Sequence, residues 1–557
     1  MKIFKNEKAL FIFYIFLFFI VNIAQSVFTE LIDDEAYYWL WSKNLAWGYF
    51  DHPPMVALWI KISSLFFNGE LGVRFFSAFM FGFTIYFIWN LIDFKEKWQH
   101  IHLFFLLTTA VILFNFYGFI TVPDTPLFFF TALFLYAYKQ FLSKNSLKIA
   151  LLLGFAMAGM LYSKYHGILV IAFVVLSNLK LLKNKYFWLA CLFCFALFTP
   201  HLWWQYQNDY PSVKYHFNRS KKLYQIWFTI NHFLNQLLIV GLAFPVLYYA
   251  FFKSFSKTTV FKKALQYLVI GFIAFFLLST FKTSTQPQWT GLILIPLMVL
   301  GFEIITTQPT LKKGFIVLAS LNLIALIYIR FALADEVISI FKWETHQNKM
   351  WAQTLKQNTQ GLPIVFQNSF QNAAKYQFYT GVETHSYNTL IYRKNQFDLA
   401  NYEANIQGKS VFEVSNNVEK PALSKKRNKI YYGKKIENYT TFQHLECVIE
   451  ENYLTIKPGD SISLTFKLIN PYQQPVPISN LVFHGVFQTQ KQQITADIPL
   501  KINLKKTDIL QALKTYKVSC KFKIPNDLEP TSSTFRIGLS FYDFPAGFEG
   551  TVVKINF

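Results

Sequence analysis

Apolar runs of bilayer-crossing length recur along roughly the first 333 residues, and no other feature limits the fold so strongly. They fall at 9–28, 71–92, 101–120, 125–142, 147–163, 166–182, 186–204, 231–252, 264–281, 288–306 and 314–333, about eleven in all. Backbone inside a bilayer has no water to bond, so each run must be a helix that satisfies its own amides. Composition agrees. With 53% hydrophobic and 19% aromatic residues against 15% charged, the chain reads as a polytopic membrane protein rather than a soluble enzyme. Lys2, Lys5 and Lys8 precede the first run, which is long for a signal peptide and reads as a retained span; 21–26 is a weak cleavage site.

The net charge of +22 is distributed as topology requires. With the N-terminus inside, the inside loops carry Lys95 and Lys97, then Lys139, Lys144 and Lys148, then Lys180, Lys183 and Lys185, then Lys253, Lys257, Lys262 and Lys263, then Lys312 and Lys313. The outside loop 118–125 carries no lysine or arginine, and 282–287 carries only Lys282. Loop 205–230 breaks the pattern with Lys214, Arg219, Lys221 and Lys222. Cations placed against the topological preference suggest an anion to bind, although a long loop crosses regardless of charge. No nucleic-acid motif accompanies the basic charge, so a nucleic-acid partner is not expected.

An odd span count puts the C-terminus outside. Three regions are expected: a transmembrane catalytic domain at 1–340, a small mixed α/β segment at 341–440, and an Ig-like β-sandwich at 441–557. The α/β segment holds the strand-like run 362–366. Period-two runs at 453–456, 461–466, 481–483, 516–522 and 535–541 carry the sandwich. Of four cysteines, Cys191 and Cys194 lie inside an apolar run and read as packing. Cys447 and Cys520 are able to pair if their region lies outside the cytoplasm.

Chemistry concentrates on the outside loops. Asp33-Asp34-Glu35-Ala36-Tyr37-Tyr38-Trp39 follows the first run directly, and Gly48-Tyr49-Phe50-Asp51-His52-Pro53-Pro54 comes after it. Carboxylates beside a membrane pathway are functional candidates; acids in a first helical turn also serve the helix dipole. Asp124, after Val122-Pro123, is a candidate that competes with helix capping. Lys164, Tyr165 and His166 follow the fifth run; Lys164 could equally snorkel to the interface, and Arg219 could contact anionic lipid. Trp39, Trp41 and Trp47 read as an interfacial aromatic belt.

These motifs carry a resemblance. Asp33-Asp34-Glu35-Ala36-Tyr37-Tyr38 with Phe50-Asp51-His52-Pro53-Pro54, then Pro123-Asp124-Thr125-Pro126-Leu127, then Tyr162-Ser163-Lys164-Tyr165, resembles glycosyltransferase family 39 of the GT-C fold. That family includes protein O-mannosyltransferases and bacterial aminoarabinose transferases acting on lipid A. The likeness spans roughly 5–335, with the segment at 377–381 also similar, and the β-sandwich tail departs from the aminoarabinose enzymes. It implies a GT-C-like enzyme of the bacterial inner membrane, N-terminus cytoplasmic and C-terminal domain extracytoplasmic. Its partners would be a polyprenyl-phosphate-sugar donor, a lipid, glycan or protein acceptor, and membrane lipid.

By motif position Asp34 is the expected base, with Asp124 and Glu35 as further catalytic acids. Lys164, Arg219 and His52 are expected at the leaving phosphate. Asp33, Tyr37, Asp51, Tyr165 and His166 are expected to line the pocket. The aminoarabinose enzymes carry Lys where this chain has His52, which leaves His52 open as a phosphate contact, a neutral hydrogen-bond donor, a structural residue or a ligand to a divalent cation. Two other classes compete. A transporter or flippase for lipid-linked sugars would share the charged cleft but tends to show repeated halves, which are not evident here. A non-catalytic assembly protein would not need the acidic string.

Overall fold

The computed structural model describes residues 7–219, 223–256, 258–440, 442–490, 492–541 and 544–557, excluding the side chains of 217–219. The chain divides into two compact units, Met1–His346 and Gln347–Phe557.

The first unit contains α1 (Glu7–Phe28), α2 (Asp33–Lys43), α3 (Met55–Ser64), α4 (Gly69–Leu91), α5 (Ile101–Ala110), α6 (Ile112–Phe116), α7 (Asp124–Ser143) and α8 (Leu147–Ser163). It continues with α9 (Gly167–Ser177), α10 (Lys185–Gln207), α11 (Pro211–Arg219), α12 (Ile226–Val240), α13 (Phe244–Lys253), α14 (Val260–Ser279), α15 (Leu294–Thr307) and α16 (Pro309–Ala334). Among the described residues, six stretches are long and apolar enough to cross a membrane: α1, α4, α10, Ile226–Ser256 (which holds α12 and α13), α14 and α16. The other expected runs are helical but shorter, broken or less apolar, so length and composition support six crossings where the sequence suggested about eleven.

The breaks have a physical cause and a physical remedy. Run 101–120 opens at Val111 between α5 and α6, and run 231–252 opens at Gly241, whose φ of 77° suits glycine. Asn322 of α16 serves both breaks. Its Nδ2 donates to Ala110 O at 2.9 Å and Val240 O at 3.2 Å, and its Oδ1 accepts from Leu242 N at 2.8 Å. Backbone groups freed by a break at membrane depth need such a side chain. Helix α7 is apolar on every side, and fifteen of its 20 residues are buried, as expected of a central helix.

The two ends of the bundle differ. At one end, lysines of the expected inside loops close the C-terminus of α4: Lys97 donates to Trp89 O and Ile92 O, and Lys139 to Asn90 O and Leu91 O. Alternation of the helices carries the acidic turn, Asp124, Lys164 and α11 to the opposite end.

In the second unit a five-stranded sheet has the parallel strands 384–387, 364–367 and 411–415 at one side and antiparallel 429–436 and 422–426 at the other. An eight-stranded sheet follows, and the strands expected from alternation all fall within it. Strand Ile494–Ile502, which the alternation does not reveal, joins the sheet's halves by pairing with Leu481–Thr489 along most of its length and with Thr515–Lys523 at its end. The halves face each other: Phe522 stacks on Phe535 at 5.5 Å between centroids, and Phe466 meets Phe483 at 6.2 Å. One hydrophobic core runs through both sheets, from Val365 and Val411 to Phe466 and Phe541. Cys447 and Cys520 are free thiols buried in it, and Cys191 and Cys194 are also free.

Candidate active site

Asp33, Asp34 and Glu35 form the first turn of α2, where carboxylates oppose the positive end of the helix dipole. Their environments diverge within one turn. Asp33 is half-buried, and its backbone N–H donates to Glu344 Oε2 at 3.3 Å. Asp34 is exposed. Glu35 is fully buried, and both its oxygens are occupied. Oε1 accepts from Arg74 Nε at 2.8 Å and Thr121 N at 2.9 Å; Oε2 accepts from Arg74 Nη2 at 2.5 Å and Ile32 N at 3.2 Å. Arg74, also fully buried, further donates to Ser26 O, Thr29 O and Glu30 O. Glu35 therefore ties the end of α1, the start of α2, α4 and the turn before α7 into one knot. This geometry fits a positioning role, where the motif suggests a catalytic one.

Asp124 and Lys164 come together. Lys164 Nζ lies 2.9 Å from each Asp124 carboxylate oxygen, and each side chain is only 9% exposed. Asp124 opens α7 and Lys164 terminates α8, so the pair joins two helix ends. Lys164 also lines a cavity of about 310 Å³ with His52, Tyr165, His166, Val213 and His216. Four expected residues, His52, Lys164, Tyr165 and His166, thus share one wall.

Asp34, Asp33, Tyr37, Asp51 and Asp124 are not part of that wall. Tyr37 is buried against Trp41, and the Asp51 carbonyl accepts from His216. Asp34 lies one helical turn before Tyr38, on the same face of α2, and Tyr38 meets His52 at 6.1 Å between ring centroids. Arg219 ends α11, and its side chain lies outside the described residues. Among the described residues, no three His, Cys, Asp or Glu side chains are grouped to hold a metal ion.

Several partners in the site were not read from the sequence. Arg74 lies within the apolar run 71–92, where an arginine is itself a signal. A polar chain also crosses from α10 to the 47–52 turn. His201 Nδ1 donates to Trp47 O at 2.7 Å, so in the neutral ring Nε2 accepts from Tyr165 OH at 3.0 Å. Gln205 donates to Tyr165 Oη and to Ser212 Oγ, and Ser212 donates to Tyr49 O at 2.9 Å. Gly48 is needed in this turn, because a Cβ there would lie 2.2 Å from the Trp204 ring. Trp41 corrects the aromatic-belt reading: it is fully buried and stacks on Tyr49 at 4.5 Å, whereas Trp47 is 57% exposed.

Residues 51–204 match the family described as dolichyl-phosphate-mannose-protein mannosyltransferase, which bears out the resemblance carried by the motifs. The chain is 26% identical over 203 residues to the lipid A galacturonosyltransferase RgtD of Rhizobium johnstonii. That alignment covers 34% of this chain, which spans only 41% of RgtD. The fold matches ArnT of Cupriavidus metallidurans with a TM-score of 0.56 at 12% identity, covering 76% of this chain and 98% of ArnT. ArnT bound to undecaprenyl phosphate matches with a TM-score of 0.55 at 12% identity, over 76% of this chain and 97% of ArnT.

Proposed function

We propose that this protein is an integral-membrane glycosyltransferase that moves a sugar from a polyprenyl-phosphate donor to a lipid, glycan or protein acceptor. The observation that carries the reading is the cavity walled by His52, Lys164, Tyr165 and His166, beside the buried Asp124–Lys164 pair, in a GT-C fold. The undecaprenyl phosphate held by ArnT supports a polyprenyl carrier. In the reaction the acceptor oxygen bonds to the anomeric carbon while the bond from that carbon to the phosphate oxygen breaks. The acceptor's proton passes to Asp34, and the lipid phosphate leaves into the cavity. Asp34 suits the base because it is exposed, where an acceptor can reach it, on a helix fixed from behind by the Glu35–Arg74 knot. Asp124 holds the Lys164 ammonium at the wall. No observation favours a flippase.

The protein resides in the bacterial cell membrane as a multi-pass enzyme in this proposal. Its N-terminus is cytoplasmic and its C-terminal unit lies outside, on the side of Asp34. Asp34→Asn tests the assignment. A nearly isosteric amide removes the base and lowers transfer by a factor of roughly 100 to 10,000 while leaving binding of the lipid phosphate in place. Transfer at the wild-type rate would remove Asp34 from the mechanism, and Asp33→Asn controls for simple helix capping.

A further inference from the structure

Tyr165 lines the cavity beside Lys164, and its hydroxyl belongs to a polar chain anchored at both ends on backbone carbonyls. At one end His201 Nδ1 lies 2.7 Å from Trp47 O. A carbonyl only accepts, so Nδ1 carries the hydrogen, and in the neutral ring Nε2 is an acceptor. The Tyr165 hydroxyl, 3.0 Å from Nε2, gives it a hydrogen. At the other end Ser212 gives its only hydrogen to Tyr49 O at 2.9 Å, so its Oγ faces Gln205 as an acceptor. The Gln205 atom 2.8 Å away is therefore Nε2 rather than Oε1, and this Nε2 also donates to Tyr165 Oη at 2.9 Å. The Tyr165 hydroxyl has then committed its hydrogen and one lone pair. What it has left for a ligand is the second lone pair.

We propose that Tyr165 accepts a hydrogen bond from a hydroxyl of the donor sugar, and that His201 and Gln205 are positioning residues that keep its hydroxyl an acceptor. The inference rests on reading the cavity as the donor site. A phosphate oxygen carries lone pairs alone and gains nothing from a hydroxyl whose hydrogen is committed. A sugar hydroxyl brings the hydrogen that Tyr165 lacks. Lys164 has the opposite need, because an ammonium donates and never accepts. Two consecutive residues on one wall thus ask for different ligand chemistry. A glycosyl phosphate, an acceptor group joined to a ring of hydroxyls, satisfies both, with its phosphate toward Lys164 and its sugar toward Tyr165.

The anchors place this selection under the control of one turn. Trp47 O and Tyr49 O flank Gly48, in the segment that leads to His52, and Ser212 belongs to α11. The chain therefore fastens the Tyr165 hydroxyl to that turn by two routes, one through α10 alone and one through α10 and α11.

The test is binding, to the full-length protein in nanodiscs, of undecaprenyl phosphate and of its glucosyl, mannosyl and galacturonosyl esters. The wild type should bind at least one ester more tightly than the sugar-free lipid. Tyr165→Phe should weaken that ester roughly twofold to tenfold more than it weakens the sugar-free lipid, the range for one neutral hydrogen bond. Among deoxy analogues of the same ester, the one lacking the hydroxyl read by Tyr165 should lose this extra sensitivity. His201→Phe removes the acceptor and frees the Tyr165 hydrogen, so it should shift preference toward the sugar-free lipid. Loss of packing alone would weaken all the lipids together, and if Tyr165→Phe does not fold, His201→Phe carries the test by the same ratio. Equal losses for ester and sugar-free lipid in these variants would overturn the inference and leave the chain a structural tie. A wild type that binds undecaprenyl phosphate but prefers no ester would overturn it alone. Failure of the wild type to bind any of the four lipids would overturn the donor-site reading, and this inference with it.

Discussion

Glu35→Gln should destabilise the membrane unit severely. Each carboxylate oxygen of Glu35 accepts two N–H groups: Oε1 from Arg74 Nε and Thr121 N, Oε2 from Arg74 Nη2 and Ile32 N. A glutamine amide turns one of those oxygens into an NH2 group in either orientation. Two buried N–H donors then face another donor. Each orphaned buried donor costs about 1–3 kcal/mol, and the guanidinium also loses its counter-charge. Removing one partner of a buried ion pair costs about 3–5 kcal/mol in measured cases, the same range. Unfolding of the detergent-solubilised protein, followed by tryptophan fluorescence, measures the loss. Arg74→Met should cost a similar amount, and the double variant should cost less than the sum, because neither charge is then left alone. If Glu35→Gln melts like the wild type but has lost transfer, Glu35 belongs to the chemistry and the positioning role is wrong.

Asp124→Asn and Lys164→Met should each lower lipid-phosphate binding and transfer, and the double variant should be non-additive; additive losses would mean that the pair seen at 2.9 Å does not act as a unit. In the second unit, burial raises the Glu549 carboxyl to about 8, and its Oε1 has no hydrogen-bond partner among the described residues. A raised folded-state value means that stability is greatest below the ordinary 4.5 and falls as pH rises toward 8. Glu549→Gln should therefore stabilise the second unit most at pH 8 and above, by up to about 5 kcal/mol, and hardly at pH 4; a larger gain at low pH would reverse the argument. An outside-only reporter fused after Phe557 should be active, and a cytoplasm-only reporter silent; the reverse would put the second unit on the side away from Asp34.

The spans and the site were legible in the sequence to different depths, for physical reasons. Lipid demands continuous apolar runs, so α1, α4, α10, α14 and α16 stand out in one dimension. The breaks at Val111 and Gly241 do not show in one dimension, because a break rescued by Asn322 leaves hydropathy almost untouched. Asp34, Asp124 and Lys164 stand out by motif position, since residue type and spacing mark them. What separates Asp34 from Glu35 is not local. Their contrast comes from Arg74, 39 residues beyond Glu35, and from a backbone amide 86 residues beyond it. The contact of His216 with the Asp51 carbonyl is hidden for the same reason, since that turn lies 165 residues earlier.

The Glu35–Arg74 knot also dictates an order of biogenesis. Glu35 is synthesised 39 residues before Arg74 and 86 before Thr121, so the nascent chain carries an unfinished ion pair into the membrane. An unpaired guanidinium near the start of α4 is a poor substrate for lateral release into lipid, where charge is expensive. Pairing with Glu35 removes that penalty as soon as α4 emerges, which favours insertion of α1 through α4 as one package. The Thr121 amide then closes the package when the segment leading into α7 arrives. Truncated nascent chains ending before and after residue 74 should differ in their release from the insertion machinery, with the shorter chain left waiting for its partner.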